Sequence, residues 1–216
     1  MRLVLAILLT CSALTAVGAE AAEEEASYVP IDLEIKTTQK LDESFHGDGG
    51  EGNDLQELPP GEQTFGGVTF HVGEGCIQLG GPRLPKMPEK VPGIRVGLAL
   101  AKLHVLHATG WGGRIREGVL IGRYDVHYED KTSQTIPIVY GVDLRGWWNV
   151  DDSKEVERGK VVWEGTTRSY GKRVMVRLYL ATWDNPHPQK TVTSISYVSS
   201  GTTEATPFCV AMTAEE

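Results

Sequence analysis

From Arg173 to Trp183 the chain alternates strictly, with Val174, Val176, Leu178 and Leu180 on one side and Arg173, Met175, Arg177 and Tyr179 on the other. A period of two cannot wind into an amphipathic helix; it builds a strand with one face toward a core. Val119 to Tyr128 repeats the pattern, setting Tyr124, Val126 and Tyr128 against Arg123, Asp125 and His127. Val29 to Lys36 does so again, with Ile31, Leu33 and Ile35 against Asp32, Glu34 and Lys36. Further strands are expected at Gly67 to Val72, Cys76 to Leu79, Ile94 to Gly97, Leu103 to His107, Gln134 to Tyr140, Lys160 to Glu164, Thr191 to Val198 and Pro207 to Thr213. The 25 Gly and 11 Pro among 216 residues supply the breaks between them, and Phe45 to Gly61 reads as one long loop. Only Val96 to Lys102 looks helical. This spacing predicts a single all-β domain over 28–214, an antiparallel two-sheet β-sandwich.

The chain opens on Arg2 and an uncharged run from Leu3 to Ala19 that ends in the small residues Val17-Gly18-Ala19. That is the build of a signal peptide over 1–19, cleaved near Ala19, and Glu20, Glu23, Glu24 and Glu25 begin an acidic linker over 20–27. The expectation is an exported protein, periplasmic, cell-surface or secreted, that does not span a membrane after cleavage. With 21 Lys+Arg against 29 Asp+Glu the net charge is −8, and no basic block exceeds two residues. Affinity for nucleic acid comes from neutralising phosphates, so that class of partner is excluded.

Loss of the leader removes Cys11 and leaves Cys76 and Cys209, an even number in an oxidising compartment. They are read either as one disulfide or as two small buried hydrophobes, since both sit in apolar strand sequences. His104 and His107 form an H-x-x-H on a strand, where residues three apart point to opposite faces and cannot share a metal. Asp48, Glu51, Asn53 and Asp54 offer oxygen ligands for a structural calcium, without the spacing of an EF-hand loop; no other cofactor is called for. There is no Gly-x-Ser-x-Gly, and Ser44, Ser153 and Ser169 have no base nearby in sequence. Asp125, Glu129, Asp130, Asp143 and Glu164 are carboxylates that a glycosidase would have to pair. No motif places an acid beside a nucleophile, so the chain is read as a non-enzyme.

Five blocks stand in a particular order: Leu58-Pro59-Pro60-Gly61 with Phe65-Gly66-Gly67-Val68-Thr69-Phe70, Leu103 to Trp111, Gly122 to Tyr128, and Trp183-Asp184-Asn185-Pro186-His187-Pro188. Together they resemble a family of bacterial exported galactose-binding-like domains, similar to the carbohydrate-binding modules abbreviated NPCBM. The resemblance runs from about Ile31 to Thr213; it implies a jelly-roll sandwich and a non-catalytic role. The function expected is recognition of carbohydrate or another polar component of the cell envelope. The alternative is a structural or protein-protein interaction domain on the same scaffold. Of the five tryptophans, Trp163 and Trp183 suit a core, whereas Trp111 and the pair Trp147-Trp148 fall at strand ends or in loops. Loops at the ends of a sandwich carry recognition groups, which makes Trp111, Asp143, Arg145, Trp148 and His107 the candidate ligand-binding residues.

Overall fold

The computed structural model describes residues 26–148 and 154–216. The leader and most of the acidic linker lie outside these residues. Thirteen strands follow in order: β1 (Tyr28–Ile31), β2 (Gln39–Lys40), β3 (Gly61–Phe65), β4 (Val68–Val72), β5 (Gly75–Gln78), β6 (Lys90–Ala99), β7 (Lys102–Gly110), β8 (Leu120–Tyr128), β9 (Ser133–Val139), β10 (Lys160–Ser169), β11 (Lys172–Asp184), β12 (Thr191–Ser199) and β13 (Thr206–Glu215). One sheet runs β10-β11-β7-β13-β5-β2, with β1 paired to the far half of β13. The other runs β6-β12-β8-β9, and every strand pair is antiparallel. The two sheets stack as an all-β sandwich.

The burial of each strand follows its sequence. In β8 the alternation holds as written: Tyr124, Val126 and Tyr128 are buried while Arg123, Asp125 and His127 are not. The nearly unbroken apolar run Pro207 to Met212 lies in β13, which is buried from Thr206 to Ala214. A strand of that composition needs cover on both faces. The β3–β4 hairpin supplies part of it, and Thr213 Oγ1 donates to Thr69 O at 2.8 Å to tie hairpin to sheet. Between the sheets Tyr124 stacks on Tyr197 with centroids 4.6 Å apart, and the His107 ring lies 6.2 Å from Tyr124.

Two sequence expectations fail locally, and of the two readings of the cysteines the structure takes one. The first strand ends at Ile31, and a short 3-10 turn over Glu34–Lys36 carries Ile35 out to 82 % exposure. A two-residue period over so few residues does not hold a segment in a sheet when Asp32 Oδ1 accepts the Glu34 N–H at 2.8 Å and turns the chain. Residues 96–102 form no helix. Residues 96–99 end β6, Lys102 begins β7, and Leu100-Ala101 form the bend between them, stapled by Asn185, which donates its backbone N–H to Ala101 O and its Nδ2 to Leu100 O, both at 2.8 Å. Cys76 and Cys209 are both free, buried thiols rather than a bridge. The ladder sets Cys209 opposite Ile77, so Cys76 stands one residue out of register.

Candidate functional site

The end of β7 and the middle of β11 diverge, and the chain fills the gap with Gly146–Trp148. Gly146 bridges Thr109 in parallel and Trp148 bridges Val176 in antiparallel fashion. Trp147 N–H donates to Thr109 O at 3.0 Å, and Arg177 N–H donates to Trp147 O at 2.8 Å. The segment is thus an extra rung held from both sides. Trp147 itself is buried and plugs the sheet end against Phe45 (5.2 Å) and Phe208 (5.9 Å). Above this floor opens a groove of about 640 Å³.

Trp111 and Trp148 line the groove, with the His46 ring between them at 4.8 Å from Trp111 and 5.2 Å from Trp148. Burial pushes the His46 pKa down against the pull of Asp48, which leaves a neutral imidazole at neutral pH. The Arg83 guanidinium lies 5.1 Å from the centre of the Trp111 ring, a cation-π distance, and donates to both carboxylate oxygens of Glu204 at 2.9 Å. Trp111 is therefore flanked already. Its backbone is left-handed, φ 56°, a conformation that costs an aromatic residue about 1–2 kcal/mol.

Arg145 is buried and donates through Nη2 to Glu117 at 3.1 Å and through Nε to Glu155 O at 3.3 Å. Hydrogen bonds from Lys154 and Arg145 hold the Glu117 carboxyl below the usual carboxylate range. Tyr170 stands at the tip of the β10–β11 hairpin, 87 % exposed, and reaches the groove rim. It and Gly171 have φ of 47° and 74°, the pair of positive values that a two-residue hairpin turn of the primed type requires. The Nε1 atoms of both Trp111 and Trp148 are buried without a hydrogen-bond partner among the described residues.

Of the sequence candidates, then, Trp111, Arg145 and Trp148 share one groove. Asp143 and His107 do not join them; they line a separate cavity between the sheets. Asp143 pairs with Arg158, accepting from Nε and Nη2 at 2.9 Å each, and it also accepts the Val139 N–H at 2.7 Å. It pins its own loop. His107 lies on β7 two residues past Val105, on the face turned toward the second sheet, where its Nδ1 meets the Tyr124 hydroxyl at 3.2 Å. His46, Arg83, Glu117, Tyr170 and Glu204 were not found from sequence. Only the Phe45-His46 pair carried a local signal, a buried anchor followed by an outward aromatic.

The calcium loop does not converge. Asp48 Oδ1 accepts from Ser44 Oγ at 2.7 Å and the Gly50 N–H at 3.1 Å, while Asp54 Oδ1 accepts from Thr167 Oγ1 and the Gln56 N–H, both at 3.2 Å. Asp48 caps a turn of its own loop, and Asp54 also ties the loop to β10. Among the described residues no three His, Cys, Asp or Glu side chains are grouped to hold a metal. Searches against known family models, curated proteins and solved structures match this chain to none of them.

Proposed function

We propose that this protein is a non-catalytic binding module, exported to the cell envelope, whose groove at Trp111 and Trp148 takes carbohydrate or a similarly hydroxyl-rich component. One observation carries the reading: the indole N–H donors of Trp111 and Trp148, both of which line the groove, are buried with no acceptor among the described residues. Leaving a buried donor unpaired costs about 1–3 kcal/mol, and a sugar hydroxyl relieves it while donating its own proton to Glu117 or Glu204. The Tyr170 ring supplies an open face for a pyranose at the rim. The order of motif blocks shared with NPCBM-type modules and the signal-peptide build of residues 1–19 support the same reading. A hydrolase is disfavoured because its general acid needs a raised pKa, and the Glu117 carboxyl is held down. A protein-interaction domain would use a broad apolar face. The exposed large hydrophobics Ile35, Leu120, Tyr170 and Met175 are instead scattered over a 3-10 turn, β8 and the β10–β11 hairpin.

A glycan array probed with residues 20–216 tests the proposal. Wild type should retain a defined set of glycans. Trp148→Phe, which keeps a ring and deletes the N–H, and Tyr170→Ala should each weaken binding by roughly 10-fold, the equivalent of one lost hydrogen bond or stacking contact. Wild type that retains no glycan, or variants that bind as well as wild type, would end the assignment.

A further inference from the structure

We propose that the cavity headed by His107, between the two sheets, is a second binding site, for a small neutral molecule with an apolar body and a single hydroxyl, such as a phenol. The cavity measures about 280 Å³, room for one ring or a short chain and too little for an oligosaccharide. Leu103, Val105 and Trp183 wall it from one sheet, Ile136 and Ile138 from the other. It reaches solvent at Pro137, Thr182 and Asp184, all exposed.

At the inner end stands His107, 1 % exposed, with Nδ1 engaged by the Tyr124 hydroxyl at 3.2 Å and Nε2 buried without a partner among the described residues. Burial pushes its pKa down to about 4, so the ring is neutral over the physiological range. A neutral imidazole bonded at Nδ1 presents at Nε2 either an N–H or a lone pair, according to tautomer. A hydroxyl answers both, since it donates and accepts. A charged headgroup is not matched: Arg158, the cation at the cavity wall, is held bidentate by Asp143, and Asp184 adds a negative charge at the mouth. The remaining walls are apolar and reward a hydrocarbon body through its area removed from water.

The probes are 4-methylphenol and toluene, which share a shape and differ by the hydroxyl. They are titrated by calorimetry into wild type and His107→Leu, with the imidazole nitrogens of His107 followed by long-range proton-nitrogen NMR in wild type. The expected result is 4-methylphenol binding at least 10-fold tighter than toluene, with the His107 Nε2 resonance moving for 4-methylphenol alone. In His107→Leu the preference should fall to near unity. If that variant does not fold, the wild-type resonance decides the matter alone. Neither probe binding up to its solubility, both binding equally to wild type, or 4-methylphenol binding with Nε2 unmoved would each overturn the proposal. The glycan groove is a different site, so the outcome there has no bearing on this one.

Discussion

Gly112 and Gly146 touch across the base of the groove, and the contact is unequal. A Cβ built on Gly112 would stand 2.8 Å from Gly146 Cα, 2.9 Å from Gly146 N and 3.0 Å from the Tyr140 ring. Ordinary contact between such atoms begins near 3.5 Å, so backbone has to retreat by several tenths of an ångström. Gly146 cannot retreat cheaply, because its bridge to Thr109 and the hydrogen bonds of Trp147 hold it between β7 and β11. A Cβ on Gly146 would meet Gly112 at 3.7 and 3.9 Å, which is comfortable. Neither glycine has a positive φ, so steric space alone separates the two substitutions. Gly112→Ala should therefore cost about 1–3 kcal/mol, the range for overpacking a closed contact, or roughly 2–12 °C in Tm for a chain of this size. Gly146→Ala should lie within about 0.5 kcal/mol of wild type. Scanning calorimetry of both variants under one buffer settles the comparison. Equal stability of the two, in either direction, would refute the reading of the loop crossing.

Trp147→Ala should cost about 3–5 kcal/mol in chemical denaturation, because it empties the plug beneath the groove, whereas Tyr170→Ala should leave stability unchanged within about 0.5 kcal/mol; a mild Trp147 effect would mean the floor collapses to refill the site. His107 has a folded pKa of about 4 against the 6.5 of an unperturbed imidazole, so the unfolded chain takes up its proton first as pH falls. Stability from keeping this ring neutral is full above pH 6.5 and drains away down to about pH 4, by about 2–3 kcal/mol at pH 4.5. Denaturant midpoints at pH 7 and 4.5 should thus fall less in His107→Gln than in wild type, and parallel losses would contradict the burial of that ring. For residues 20–216 without reductant, neither cysteine should react with a thiol reagent at pH 8, since burial holds the Cys209 pKa at about 12 and the Cys76 pKa well up. Two thiols per chain should then appear on unfolding; none would mean that Cys76 and Cys209 are bridged.

The sandwich is legible in the sequence wherever burial is one-sided or total over a long run. β8 and β13 are the clear cases, the first read from alternation and the second from continuous apolarity. Reading fails where a single side-chain hydrogen bond decides the local path. Asp32 turns the chain toward the 3-10 segment, and Asn185, more than eighty residues away, fixes the bend at Leu100 and Ala101. No local window contains Asn185 together with the carbonyls it satisfies. The alternation of β11 also misleads in part, since Arg177 and Tyr179 are buried although they were read on the polar face. Their face is covered, and the Arg177 guanidinium lies 5.4 Å from the centre of the Tyr179 ring.

The same distinction divides the candidate residues. Trp111, Arg145 and Trp148 fall in one groove because two loops at the same end of the sandwich must meet, and Gly112 and Gly146 permit the meeting. Asp143 is only two residues from Arg145, yet sequence proximity in a loop carries no information about facing, and its partner Arg158 lies across the residues at 149–153. His107 was misplaced for a more instructive reason. Its strand alternation is knowable, and it points a lone histidine into the interior with Leu103 and Val105, where a polar group needs a partner. Tyr124 answers one of its nitrogens and nothing among the described residues answers the other. An imidazole held neutral by burial, half satisfied and facing a walled cavity costs the fold stability that an apolar residue would not.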